Sequence, residues 1–147
     1  MNREFPSPSA LLPHAGPMRL LERVLSHDAD GTRCAVAAQG GAPFCDASGR
    51  LPAWVAVEWM AQCAAVDGSL RGRARGEAPR PALFVGSRRI SFAVEAFEPK
   101  ARLEVTARHA AGRPGAGLLA FDCVVREAGR DEALAEGRLN VLPGDFT

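Results

Sequence analysis

Glu58 and Gln62 are the residues of this sequence whose types and spacing point most clearly to chemistry. They lie four positions apart within the apolar segment 52–68, so a helix there would place both side chains on one face. Tryptophan and valine flank Glu58, and a carboxylate in apolar surroundings is partly desolvated, which raises its pKa. A carboxyl group of this kind can give or accept a proton near neutral pH. We therefore predict that Glu58 is a general acid or base.

The segment 52–68 is the element that must hold this carboxylate in place. Its alanine, methionine and glutamine residues favour a helix, Pro52 suits the first helical turn, and Gly68 is a predicted stop. A helix that is apolar on nearly every side is buried on most of its faces. A carboxylate and a short apolar run argue against a membrane span.

Strands are predicted on both sides of this helix. Before it, two strands at 18–26 and 32–39 form a hairpin around Asp30 and Gly31. After it, and after a glycine-, arginine- and proline-rich linker at 71–81, apolar and polar residues alternate with period two, which is typical of antiparallel strands with one buried face. These later strands are predicted at 90–96, 102–108, 119–126 and 133–141.

This order of elements predicts an α+β hotdog fold. Because no second helix is available as a partner, one sheet must cover the helix, and a curved antiparallel sheet wrapped around one long central helix does so. Residues 1–147 then form a single domain, with 1–17 as an N-terminal extension that contains a short helix. The open edges of such a sheet predict pairing with a second copy.

Composition excludes several classes of function. A net charge of +1 gives no general attraction to nucleic acid or to acidic membranes. The four cysteines form no C-x-x-C pair and do not cluster with histidines, so we expect no metal site and no cofactor. They lie in or beside apolar runs, as buried free thiols do in a reducing compartment, and no secretory signal is evident, so we expect a cytoplasmic protein.

Four segments of the chain resemble the sequence motifs of a known family. They are Leu12-Pro13-His14 with Pro17–Val24, Pro52 followed by Glu58-Trp59-Met60-Ala61-Gln62, Gly86–Phe92, and Pro99–Val105. Together they resemble the β-hydroxyacyl-acyl carrier protein dehydratases of the hotdog superfamily over most of residues 11–142. The sequences of residues 51–54 and 58–62 resemble those of the branch associated with aryl polyenes more than those of the housekeeping fatty-acid enzymes.

The resemblance implies a mechanism. In that family a histidine removes the α proton of a 3-hydroxyacyl thioester, a carboxylate on the central helix handles the departing hydroxyl, and a backbone N–H at the helix start polarises the thioester carbonyl. The two side chains come from different subunits of a dimer. Carried over to this sequence, the carboxylate is Glu58, the N–H donor is that of Ala53, and the position of the histidine is taken by Phe44, fourteen residues before Glu58.

Phenylalanine cannot take a proton, so three hypotheses stay open. His14 replaces the missing base and the chain is a 3-hydroxyacyl-acyl carrier protein dehydratase that makes a trans-2-enoyl thioester. Alternatively, the chain is a non-catalytic partner subunit of an active dehydratase. In the third hypothesis it is a hotdog acyl thioesterase in which Glu58 activates water.

The resemblance also predicts where substrate and partners bind. The predicted substrate-binding residues are Ala53, Trp54, Gln62 and Phe44. An arginine patch is predicted to bind an acidic acyl carrier protein and its phosphopantetheine phosphate, and it consists of Arg71, Arg73, Arg75, Arg88 and Arg89. A solvated loop is the alternative interpretation of the same arginines. The expected assembly is a homodimer or a heterodimer with a related dehydratase. No aromatic residues interleave with the arginines, so we expect no nucleic-acid partner.

Overall fold

The computed structural model of the chain describes residues 4–12, 18–37, 44–77, 82–112 and 117–143. The two helices in these ranges are α1 (Pro8–Leu11) and α2 (Val55–Ala74). The strands are β1 (Leu21–His27), β2 (Gly31–Val36), β3 (Leu51–Pro52), β4 (Ala82–Phe92), β5 (Ala96–Phe97), β6 (Leu103–Ala111), β7 (Leu119–Glu127) and β8 (Ala133–Pro143).

Six of the strands form one antiparallel sheet in the order β1-β2-β6-β7-β8-β4. Alternate residues of β6, such as Val105 and Ala107, are fully buried, and Thr106 between them is not. Helix α2 packs across β1, β2, β6, β7 and β8. The predicted α+β hotdog architecture, with one sheet wrapped around one long helix, is therefore confirmed.

Helix α2 is buried on most of its surface. Trp59, Met60 and Cys63 are fully enclosed among the side chains of the sheet. One stripe is not fully buried, and it runs through Trp54, Val57, Glu58, Ala61, Ala65 and Gly68. The predicted reactive carboxylate therefore lies on the side of α2 that the sheet of this chain leaves partly open.

The predicted bounds of the central helix were wrong at both ends. Pro52 lies in β3, where it pairs with Ala96, and the helix begins at Val55. It passes through Gly68, because this glycine faces open space while Ser69 and Leu70 beyond it are buried. The helix ends at Ala74, and a glycine with a φ of +78° follows at position 76, which is the usual way for a helix to stop.

The strand after the helix is longer than predicted and begins earlier. β4 starts at Ala82 and ends at Phe92, so the predicted strand at 90–96 covers only the last three residues of β4 and the first residue of the small strand β5. Half of the predicted linker 71–81 belongs to α2 or to its end. The two-stranded sheet of β3 and β5 was not predicted, because strands of two residues give no periodicity. The end of the predicted strand 32–39 and residues 13–17 lie outside the described residues.

Candidate active site

Glu58 lies in the first turn of α2 and is half-buried. Its Oε1 accepts a hydrogen bond of 3.2 Å from Nε2 of Gln62, one turn further along the helix. The two side chains therefore share one face, as their spacing predicts. The carboxylate is also close to the N-terminal end of α2, where the helix dipole is positive.

Gln62 is fully buried, and its amide is tied to the backbone that leads into β1. Its Oε1 accepts a hydrogen bond of 3.0 Å from the N–H of Leu20, and its Nε2 donates one of 2.7 Å to the carbonyl of Met18. With the bond to Glu58, both N–H groups of the amide are in use. A substrate would have to displace one of these bonds in order to bind to Gln62.

The backbone at the start of α2 determines which N–H groups are available there. The N–H of Ala53 donates to the carbonyl of Glu95 at 3.0 Å, which extends the pairing of β3 with β5. The N–H groups of Ala56 and Val57 close the first turn. Within the described ranges, the N–H groups of Trp54 and Val55 have no hydrogen-bond partner. The N–H predicted to polarise a carbonyl is thus occupied at Ala53, and the next two along the chain are not.

Phe44, at the position where the resemblance places a histidine, packs against the helix start. Its ring meets that of Trp54 edge to face, with the ring centroids 5.4 Å apart. Phe44 is half-buried against the core, whereas Trp54 is 56% exposed. These two predicted substrate-binding residues are therefore neighbours, and they form an apolar wall beside the N-terminus of α2. His14 lies outside the described residues.

The predicted arginine patch is divided in the structure. Arg71 is committed to the buried carboxylate of Asp67, which its Nε contacts at 2.8 Å. Arg75 pairs with Glu77. Arg73, Arg88 and Arg89 are exposed, and the last two line an open cleft of about 1030 Å³ on the outer face of β4, β7 and β8.

A second polar cluster, around Asp67, was not predicted. Asp67 is buried on α2, and its Oδ1 accepts a hydrogen bond of 2.8 Å from the hydroxyl of Thr32. Nδ1 of His27 lies 2.7 Å from the same hydroxyl oxygen and 3.5 Å from Asp67. The spacing of Asp67 and Arg71, four apart on a buried helix, was the available signal.

The described ranges contain neither a candidate metal site nor a candidate membrane-spanning helix. In those ranges, no group of three or more histidine, cysteine, aspartate or glutamate side chains is arranged to hold a metal ion. Neither helix there is at once long and apolar enough to cross a membrane.

Comparison with known proteins identifies the family. A sequence profile of the ApeP-like family, described as ApeP dehydratase, matches residues 6–147. The chain belongs to the ApeP-like dehydratase family. The predicted resemblance to hotdog dehydratases, and to their aryl-polyene-type branch, is thereby confirmed. No curated protein sequence matches the chain.

Three solved structures are similar to this chain. The dehydratase heterocomplex ApeI:P from Xenorhabdus doucetiae is similar with a TM-score of 0.88 and 27% identity, over 97% of this chain and 93% of that chain. Zebrafish thioesterase superfamily member 2 has a TM-score of 0.65 and 17% identity, over 92% of this chain and 90% of that one. S. sahachiroi AziG has a TM-score of 0.56 and 17% identity, over 84% and 91%. The last two share the fold.

Proposed function

We propose that this ApeP-like chain is one subunit of a dehydratase that removes water from a 3-hydroxyacyl thioester carried by an acyl carrier protein. The observation that carries this proposal is Glu58. It is half-buried in the first turn of the central helix, hydrogen-bonded by Gln62, in a chain that matches a dehydratase family over almost its whole length. The product is a trans-2-enoyl thioester. The free cysteines, three of them buried, support a reducing compartment such as the cytoplasm.

In the proposed reaction Glu58 protonates the leaving group. A base takes the proton from Cα, the electron pair of that C–H bond forms the new double bond, and the bond from Cβ to the hydroxyl oxygen breaks. The carboxyl group of Glu58 gives its proton to the departing oxygen, which leaves as water. At the end of the reaction the base has gained one proton and Glu58 has lost one. Transfer of one proton from the base to Glu58 therefore restores both groups.

The thioester carbonyl needs a donor where negative charge develops. In this chain we assign that role to the N–H groups of Trp54 and Val55, which are without partners in the described part of the chain, rather than to that of Ala53, which is bonded to Glu95. They lie at the N-terminal end of α2, where the helix dipole adds to the stabilisation of an oxyanion.

A second chain completes the proposed site. Phe44 cannot act as the base, and Glu58 lies on the stripe of α2 that the sheet leaves partly open. We therefore propose a heterodimer with a related dehydratase that brings a histidine to Glu58, in keeping with the heterocomplex formed by the ApeI:P proteins. His14 of this chain is the other candidate base. In the described ranges β4 pairs with β8 alone and exposes Phe84, Val85 and Phe92, so its free edge is the proposed contact surface.

Exposed arginines fit a carrier-protein partner. Arg88 and Arg89 on β4 and Arg73 at the end of α2 have exposed side chains. Guanidinium groups bind phosphate through paired hydrogen bonds and attract acidic surfaces. We assign the carrier contact to these three residues, because Arg71 and Arg75 are engaged within the chain.

The first prediction tests the role of Glu58. The complex of this chain with its related dehydratase is supplied with 3-hydroxyacyl carrier protein, and loss of water is followed by mass. We expect Glu58→Gln to lower kcat at least about a hundredfold, because general acid catalysis contributes on that order. Glu98→Gln removes an exposed carboxylate that pairs loosely with Arg50, and it should leave the rate unchanged.

Three outcomes distinguish the hypotheses. Full activity of the complex with Glu58→Gln would show that this chain is a non-catalytic partner. Turnover by the wild-type chain alone would place the base in this chain, where His14 is the candidate, and would remove the need for a heterodimer. Release of free thiol without an enoyl product would identify a thioesterase.

A further inference from the structure

Gln62 differs from a substrate-binding residue in the way its amide is used. The side chain is fully buried, and its three hydrogen bonds go to Met18, Leu20 and Glu58. The carbonyl of Met18 requires a donor and the N–H of Leu20 requires an acceptor, so the network fixes which end of the amide is nitrogen. The remaining N–H is then aimed at Oε1 of Glu58 and cannot rotate away without breaking a bond to the backbone.

This arrangement has two effects on Glu58. A hydrogen bond donated to a carboxylate stabilises its charged form. In addition, a donor that is fixed to a second element holds the carboxylate of the partly buried Glu58 in one orientation. The backbone at Met18 and Leu20 directly follows the segment that contains His14.

We propose that Gln62 is a positioning residue, which holds the carboxylate of Glu58 in its reactive orientation by joining it to the backbone at the start of β1. It acts through Glu58 and does not touch the substrate. This inference rests on the proposed function, because that function gives Glu58 its reactive role. The coupling between the two side chains can nevertheless be measured without any catalytic turnover.

The second prediction measures this coupling directly. The carboxyl carbons of isotope-labelled glutamates are titrated by NMR, and the Glu58 resonance is the one that disappears in Glu58→Gln. In Gln62→Met, which keeps the volume of the side chain, we expect the titration midpoint of Glu58 to rise by about one pH unit, since one hydrogen bond to a charged group is lost. In the complex, kcat/KM should fall about tenfold with little change in KM, and the limb of its pH profile that reports Glu58 should move in the same direction.

Ser69→Ala is the matched control for a purely structural role. Ser69 is also buried on α2, and its hydroxyl donates to the carbonyl of Leu11 at 2.7 Å, so it likewise ties the helix to the N-terminal backbone. This variant should lose stability but leave the midpoint of Glu58 in place. An unchanged midpoint in folded Gln62→Met would overturn the proposal, and so would an equal rise in Ser69→Ala.

A measurement on the unaltered side chain covers the case in which Gln62→Met does not fold. The side-chain amide protons of Gln62 are followed by NMR through the titration of the wild-type protein. We expect one of them to shift with the midpoint of Glu58, and the shift to vanish in Glu58→Gln. No pH dependence of these protons would overturn the proposal. If the coupling is present and the complex does not release water from its substrate, the proposed function fails and the positioning contact stands.

Discussion

The cysteines of this chain differ strongly in their surroundings. Cys34, Cys63 and Cys123 are buried, whereas Cys45 is exposed. Sγ of Cys63 lies 3.8 Å from that of Cys34 and 3.4 Å from the carbonyl of Thr32. Burial raises the pKa of the Cys63 thiol and that of Cys123, so both remain protonated thiols.

The third prediction follows from this difference. In the native protein at mildly alkaline pH, a thiol reagent such as Ellman's reagent should modify Cys45 quickly. The other three thiols should react at least about a hundredfold more slowly, because the thiolate is the reactive form and the fold must open to expose them. All four should react quickly in denaturant. Fast reaction of a second thiol in the native state would contradict this placement.

At the scale of single residues, the sequence predicted the shared helix face of Glu58 and Gln62 but not the other contacts of Gln62. The spacing of Glu58 and Gln62 was enough to place them on one face of a helix. Their hydrogen bond follows from that spacing, whereas the bonds of Gln62 to Met18 and Leu20 span more than forty residues and depend on how β1 meets α2. The occupation of the Ala53 N–H by Glu95 depends on β3 and β5 in the same way.

At the scale of elements, the cluster around Asp67 attaches the second half of α2 to the β1–β2 turn. Arg71 bonds to the carboxylate of Asp67 and, through Nη2, to the carbonyls of Asp28 and Ala29 at 3.2 and 3.1 Å. The hydroxyl of Thr32 contacts the same carboxylate from β2. One buried charge therefore joins a helix, a strand and a turn.

The fourth prediction is that Asp67→Asn lowers the free energy of unfolding by about 2 to 3 kcal/mol. The substitution leaves the partly buried guanidinium of Arg71 without its counter-charge. Denaturation by urea measures the change. A loss below about 0.5 kcal/mol would show that the cluster contributes little to stability.

An exposed ion pair is the control for that substitution. Asp122 and Arg138 lie opposite each other on β7 and β8, with bonds of 2.8 and 3.1 Å. Asp122→Asn should cost much less stability than Asp67→Asn, because an exposed pair is screened by solvent. The Arg138 guanidinium lowers the pKa of Asp122. The contribution of this pair is therefore present above the usual aspartate pKa of about 3.9 and is lost as the pH falls through the lower folded value.

The edge strand β4 contains an irregularity that depends on a glycine of its neighbour. The register with β8 shifts between Arg88 and Ser91, and Arg89 has a φ of +54°, which is uncommon for a residue with a side chain. Gly137 lies opposite. A Cβ added there would come within 2.8 Å of Cγ1 of Ile90 and 3.2 Å of the carbonyl oxygen of Arg89.

The fifth prediction compares two glycines of this strand pair. Gly137→Ala should lower the free energy of unfolding by about 1 to 3 kcal/mol, since the bulge must move to admit the methyl group. Gly86→Ala, on β4 itself, adds its methyl group to open space, and its effect should stay within about 0.5 kcal/mol. Thermal denaturation of both variants tests the pair. Equal effects would mean that the bulge adapts freely.

At the scale of the whole molecule, the sequence was informative about the architecture and less so about boundaries. The change from helical periodicity to period two predicted one central helix and the later strands of the sheet, because buried and exposed residues alternate clearly in β6 and β7. The exposed residues of β4 break this alternation, so its beginning was missed. Gly68 was wrongly taken as a helix end, because a glycine on an open face does not interrupt a helix whose other side is packed.

The free edge of β4 has a consequence for how this protein is made. In the described ranges, this eleven-residue edge strand exposes Phe84 and Val85 and offers backbone groups with which another extended chain can pair. If a related polypeptide normally occupies that edge, copies of this chain made in excess of that polypeptide will associate with one another instead. Balanced dosage of the two genes would then be a requirement of the cell, and co-expression would be the practical route to material that remains in solution.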